Sequence, residues 1–181
     1  MQTLFVQERI QGRGLQIYLP EGYENSGQHY AVVYVQDSGD LIDPKESESL
    51  QAIRALSRDG ALPELIFVGI ESFDRNEEYT PFVATNVFEP DRLFGGKAAT
   101  YAQFLATTLK PYIDSKFRTR PEPCNTGIIG FSLGGLISFY TGILYPDVFG
   151  RIGSFSGSFW FPGIVDWVQQ RTLKDWGSEC T

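Results

Sequence analysis

Gly130-Phe131-Ser132-Leu133-Gly134 is the segment of this sequence whose residue types and spacing suit covalent chemistry. It ends one apolar run, Thr126-Gly127-Ile128-Ile129, and opens another, Leu133-Gly134-Gly135-Leu136-Ile137. A strand should therefore turn sharply into a helix with Ser132 at the tip, the setting of a nucleophile elbow. Small residues must flank so tight a turn, and Gly130 and Gly134 supply them. At the helix N-terminus, the dipole and the free N–H groups favour negative charge on or near Ser132. The backbone N–H of Leu133 would then face a developing oxyanion. A glycine-rich turn with a merely capping serine has the same five residues; the apolar strand before and the apolar helix after favour the nucleophile.

A second oxyanion donor is expected from the loop after an earlier central strand. Tyr30 to Val35 (YAVVYV) reads as such a strand, buried on both faces. It runs into Gln36-Asp37-Ser38-Gly39-Asp40-Leu41, where the N–H of Ser38 or Gly39 is the candidate. Asp-Ser-Gly suits a plain strand-ending turn equally well, and spacing alone leaves both readings open. The acids Asp37, Asp40 and Asp43 do not have calcium-loop spacing, so no metal is expected there.

The elements that must carry these groups follow from the pattern of apolar residues. Thr3 to Ile10 and Leu15 to Leu19, split by Gly12-Arg13-Gly14, suggest an antiparallel pair. Ser47 to Arg58 has helical spacing, and Leu65 to Ile70 (LIFVGI) is a second buried strand. Lys97 to Phe117 reads as a long amphipathic helix that Pro111 should kink or break. Thr126 to Phe131 is a strand, Leu133 to Leu144 a helix, and Arg151 to Phe155 a further strand. A helical tail is expected over Ile164 to Trp176. An antiparallel start followed by alternating strands and helices implies an α/β fold, a mostly parallel sheet with helices on both faces. Such a sheet places its site at the C-terminal ends of the strands.

Composition narrows the function classes. The 181 residues are 42% hydrophobic and carry a formal net charge of -7. They show neither a basic run nor an internal repeat, so one domain over 1–181 is expected, with no nucleic-acid partner. No apolar stretch approaches the roughly 20 residues of a membrane span, and Met1 to Ile10 lacks a signal-peptide layout. A cytoplasmic location without a membrane partner is therefore expected. The two cysteines, Cys124 and Cys180, are too few and too far apart for a disulfide framework or a zinc site.

Several blocks together resemble the putative esterase family of α/β-hydrolases that includes esterase D and enterochelin esterase-like proteins. They are Leu19-Pro20-Glu21-Gly22-Tyr23, Tyr30 to Asp37, Asp74-Arg75-Asn76-Glu77-Glu78-Tyr79-Thr80-Pro81 and Gly95-Gly96. Leu109 to Asp114, the elbow around Ser132 and Ser156-Gly157-Ser158-Phe159-Trp160 complete the series. The resemblance runs from about residue 15 to 161 and is nearest the enterochelin esterase-like branch. It implies hydrolysis of small-molecule carboxylic esters or thioesters through a Ser132 acyl-enzyme, without a metal or organic cofactor. Gln36 and Ser38 depart from the family, where many members have His and Gly, and Ser38 could alter the oxyanion loop. Asp37, Tyr79, Phe159 and Trp160 are the candidate substrate-lining residues.

The rest of a triad is harder to find. A serine needs a base, and these hydrolases order the triad Ser, acid, His. The single histidine, His29, precedes the elbow. It lies before the Tyr30 to Val35 strand while the oxyanion loop lies after it, roughly 20 Å away at about 3.3 Å per residue. Asp166, Asp175 and Glu179 fall in or beside the tail and read as surface charges. The expectation is a fold incomplete at its C-terminus, lacking the acid and histidine, inactive or weakly active alone. Exposed sheet edge after Phe155 would then favour a homo-oligomer. The rival reading is a catalytically silent binding or oligomerising module of the same fold.

Overall fold

The computed structural model describes residues 4–42, 48–85, 91 and 93–171. Asp43, Asp175, Glu179 and Cys180 lie outside the described residues, as does the end of the expected helical tail.

Strand β1 (Leu4–Ile10) and strand β2 (Arg13–Leu19) form the expected antiparallel hairpin, with Leu4 opposite Leu19 and Ile10 opposite Arg13. Its turn is Gln11-Gly12, both at positive φ (51° and 83°). Two left-handed residues match the right-handed twist of the strands they join. Arg13 and Gly14, read from sequence as part of the break, therefore belong to β2. The remaining central strands are β3 (Ala31–Val35) and β4 (Leu65–Ile70). A short ribbon of β5 (Val83–Thr85) and β6 (Leu93–Gly95) stands apart from the main sheet. Strands β7 (Thr126–Phe131) and β8 (Arg151–Phe155) complete the set.

The main sheet has the order β1-β2-β4-β3-β7-β8. The β2–β4 pairing is antiparallel, and β4–β3, β3–β7 and β7–β8 are parallel. The mostly parallel sheet read from sequence is thus present, and β3 and β7 end side by side, with Val35 opposite Ile129.

Helices cover both faces. Helix α1 (Glu48–Arg58) packs Leu50 with Tyr18, Val35 and Phe67 on one face. On the other lie α3 (Ala98–Phe104), α4 (Lys110–Lys116) and α5 (Leu133–Leu144). Ile113, Leu136 and Ile137 of these helices, with Leu105 and Leu109 of the turn between α3 and α4, share one core with Val32, Tyr34, Ile66, Val68 and Ile128 of the sheet. Each fully buried leucine or isoleucine stabilises by about 1.5–3 kcal/mol. The short helices α2 (Arg75–Glu78) and α6 (Ile164–Gln169) flank this layer.

The long helix before Phe117 is not broken at Pro111, which lies in the first turn of α4. Leu105–Leu109 forms a π-helical turn that joins α3 to α4, and Lys110 N–H bonds back to the Leu105 carbonyl. A proline lacks the N–H that the regular ladder needs, and one wide turn just before it absorbs the mismatch. Among the described residues, no helix is long and apolar enough to cross a membrane.

Candidate active site

The strand β7, the serine and helix α5 form the strand-turn-helix that the motif implies. Ser132 sits between β7 and α5 with φ 56° and ψ −118°, a backbone that L-residues rarely adopt. Such strain persists only where the surroundings over-determine it. Both flanking glycines are required by close approach. A Cβ on Gly130 would run into the Gly134 carbonyl group, 2.5 Å from its carbon. A Cβ on Gly134 would lie 2.8 Å from Asp37 Oδ2 and 3.2 Å from Gln36 Cβ. The second glycine therefore lets the first turn of α5 lie against the loop after β3, which brings the two halves of the site together. Leu133 is the first residue of α5, so its N–H belongs to the helix's unbonded first turn.

The loop after β3 runs through three consecutive left-handed residues, Asp37 (φ 56°), Ser38 (59°) and Gly39 (81°). The Gly39 N–H is donated to the Gln36 carbonyl at 3.1 Å, which closes the turn on itself. Of the two oxyanion candidates, the Gly39 N–H is therefore already engaged within the turn. The Ser38 carbonyl and Gly39 in turn crowd Gly69 of β4, where no side chain could fit.

The structure shows what holds this loop, and sequence reasoning missed most of it. The Asp37 N–H donates to the Tyr79 hydroxyl at 3.0 Å. The Tyr101 hydroxyl donates to Gln36 Oε1 at 2.7 Å. Arg75 of α2 donates from Nε to Asp37 Oδ1 at 2.7 Å, and its NH2 group reaches the Phe131 carbonyl at 3.4 Å. One guanidinium thus joins the loop after β3 to the elbow. Helix α2 is itself anchored by Glu78, which pairs with Arg13 at 2.6 Å. Arg13 also stacks on Phe73, Tyr101 and Phe104. Burial works against the Arg13 charge, but the Glu78 carboxylate outweighs it and raises the guanidinium pKa. Asp74 caps α2 through the N–H groups of Asn76 and Glu77.

These contacts correct one reading. Tyr79, expected to line a ligand cleft, is 0% exposed. Burial first, and then the Asp37 charge, push its hydroxyl up to about 12. It is a support beneath the loop. Phe159 and Trp160 remain on the surface, Trp160 at 60% exposure, and Phe131 beside the nucleophile is 56% exposed. Asp37 is committed to Arg75.

A third segment closes the elbow from the β8 side. The Ser132 N–H donates to the Phe155 carbonyl at 2.9 Å, and the Ser158 N–H donates to the Ser132 carbonyl at 3.1 Å. The two hydroxyl oxygens, Ser132 Oγ and Ser158 Oγ, lie 3.2 Å apart. The block Ser156 to Trp160 stood out in the sequence, but nothing in its residue types marked Ser158 as a neighbour of the nucleophile.

His29 is exposed and precedes β3, whereas the elbow follows the parallel strand β7. The parallel register sets His29 and Ser132 at opposite ends of the sheet, roughly 20 Å apart at about 3.3 Å per residue. Asp166 is exposed on α6. A groove of about 720 Å³ lies away from Ser132. It runs along the sheet face beside α1, past His29, Val33, Leu65, Ile129 and Gly153. Cys124 at its edge is a free thiol. Among the described residues, no cluster of three metal-binding side chains occurs.

Comparison with known proteins agrees with this architecture. The Bacillus subtilis protein YbbA is 34% identical over 162 residues, which is 90% of this chain and 63% of YbbA. The iron(III) enterobactin esterase of Dickeya dadantii is 39% identical over 72 residues, 38% of this chain and 15% of that protein. The crystal structure of an IroE-like serine hydrolase from Shewanella oneidensis superposes with a TM-score of 0.73 at 27% identity. That match covers 92% of this chain and 54% of the Shewanella chain. The chain thus spans under two thirds of these relatives. The model of the family described as "Putative esterase" matches residues 10–179, and the chain belongs to that family.

Proposed function

We propose that this chain carries the nucleophile half of a serine esterase acting on small carboxylic esters or thioesters. The observation that carries the reading is the Ser132 backbone, held at φ 56° between a parallel strand and the N-terminus of a 12-residue helix. Nothing in a capping role requires that strain. Ser132 Oγ attacks the acyl carbon, and the N–H groups of Leu133 and Ser38 receive the oxyanion. Phe131, Phe159 and Trp160 offer an aromatic rim to the acyl or leaving group. The enterobactin esterase and the IroE-like serine hydrolase among the relatives support ester hydrolysis as the chemistry.

The base is supplied from outside these 181 residues, because the one histidine stands at the far end of the sheet. Loss of a triad member costs on the order of four to six decades in rate. The rate of this chain alone is therefore low and rises with an added base. The test is p-nitrophenyl acetate hydrolysis with increasing imidazole, each rate compared with Ser132→Ala under the same conditions. A Ser132-dependent, imidazole-dependent excess supports the proposal. Equal rates for the two proteins at every imidazole concentration refute it and favour a silent binding module on the same scaffold, the reading that the remote His29 would then explain.

A further inference from the structure

We infer that Ser158 is a second catalytic hydroxyl, acting directly on the oxygen of Ser132. This inference rests on the reading of Ser132 as nucleophile. Ser158 is 1% exposed although polar. A buried hydroxyl without a partner is costly, and among the described residues its oxygen has one hydrogen-bond partner, Ser132 Oγ at 3.2 Å. The surrounding segment is built to keep it there. Its own N–H is fixed on the Ser132 carbonyl at 3.1 Å, and its carbonyl receives the Phe161 N–H at 3.0 Å. Ser156, two residues before it, is left-handed at φ 46°. The Ser154 hydroxyl ties β8 to the Gly135 carbonyl of α5 at 2.9 Å. Backbone bonds thus place the two hydroxyls independently of their own contact.

Their chemistry differs between the two halves of ester hydrolysis. In acylation the Ser132 proton leaves for the base as the Oγ–acyl bond forms and the alcohol or thiol departs with a proton. In deacylation water attacks the acyl carbon, the C–Oγ bond breaks, and Oγ regains a proton from the attacking water by way of the base. The acylated Oγ has no hydrogen of its own, so the Ser158 O–H is then free to donate to it. That bond strengthens as charge develops on the departing oxygen, which is the condition for a rate effect. Ser158 should therefore matter more for loss of the acyl group than for its uptake.

The experiment follows the acetyl adduct of the full chain by intact-mass spectrometry after p-nitrophenyl acetate and imidazole, for parent, Ser132→Ala, Ser158→Ala and Ser158→Thr. The expected result is an adduct on the parent that is absent from Ser132→Ala. In Ser158→Ala it forms at a similar rate and persists about ten-fold longer, the worth of one hydrogen bond to a developing charge. Thermal melting separates this from a loosened elbow. A purely structural role would lower Tm and slow adduct formation and loss together. Ser158→Thr keeps the hydroxyl and restores adduct loss; if its methyl lowers Tm, the Ser158→Ala split decides alone. Equal adduct lifetimes in parent and Ser158→Ala, or a parallel slowing of both steps, overturn the role of Ser158 and leave Ser132 standing. No adduct on the parent beyond Ser132→Ala overturns the nucleophile itself, and this inference with it.

Discussion

Tyr79→Phe is the most informative single change outside the reacting groups. It removes one oxygen from a ring that is fully buried and packed at a tilt against Tyr101, ring centres 5.5 Å apart, so packing is retained. What is lost is the acceptor for the Asp37 N–H at 3.0 Å, along with the hydroxyl's bonds to Ser72 and Tyr101. Leaving a partly buried N–H without its partner costs about 1–2 kcal/mol. A left-handed backbone at a non-glycine residue costs about 1–2 kcal/mol each, and Asp37 and Ser38 are two in succession. Freed from Tyr79, the loop can relieve some of that strain by moving away from the elbow. Stability and reactivity then respond differently. If the loop holds, the variant loses about 1–2 kcal/mol in urea unfolding, a fall of roughly 2–8 °C in Tm, and keeps Ser132 reactivity. If the loop relaxes, less stability is lost, but the imidazole-dependent esterase rate falls by about ten-fold or more, because one oxyanion donor has shifted. The claim that Tyr79 supports the oxyanion loop is refuted if both the unfolding free energy and the Ser132-dependent rate match the parent.

Other outcomes follow from the same contacts. Gly130→Ala drives a Cβ into the Gly134 backbone; it should destabilise by about 1–3 kcal/mol or more in urea titration and abolish any Ser132-dependent rate. Arg13→Ala strands Glu78, whose side chain is 13% exposed, and should cost about 3–5 kcal/mol, whereas Arg13→Met with Glu78→Leu should fall much closer to the parent. Burial raises the pKa of Tyr34 and Tyr101 well above the ordinary value, and that of Tyr79 to about 12. The unfolded chain ionises near 10, so this contribution is whole below pH 10 and is lost as pH rises through the folded values. Tyrosinate absorbance should therefore lag for these three and appear together with loss of near-ultraviolet circular dichroism. A smooth titration of all tyrosines with the fold intact would contradict their burial.

Much of the scaffold was legible because its signals are local. LIFVGI, TGIIGF and RIGSF are β4, β7 and β8 with the boundaries read from the apolar runs, and Leu133–Leu144 is α5 end to end. The elbow was legible for the same reason: two glycines, a serine and the runs on either side lie within a dozen residues. Pro111 shows where local reading falters. Its effect on the helix was anticipated, but whether a kink, a break or one wide turn results depends on tertiary contacts. Here Leu105, Leu109 and Ile113 are all fully buried against the sheet, and a break would expose them.

The supports of the oxyanion loop were illegible for a different reason. Each pairs residues 26 to 65 positions apart: Arg75 with Asp37, Tyr79 with Asp37, Tyr101 with Gln36, Ser158 with Ser132. No periodicity encodes such pairs, and each residue type has an ordinary reading as a surface arginine, a core tyrosine or a loop serine. The glycine at 134 is the exception that shows the connection. Its motif position suggested only a tight turn, but the space it leaves is filled by Asp37 and Gln36 rather than by its own helix. The same missing side chain thus serves the elbow and admits the loop after β3. A serine at position 134 would keep the residue small and preserve the turn, yet place its Cβ 2.8 Å from Asp37 Oδ2. Gly134→Ser should accordingly fold with α5 intact by circular dichroism while losing Ser132-dependent turnover. Full turnover in that variant would show that the loop after β3 does not need to approach the helix for the chemistry to proceed.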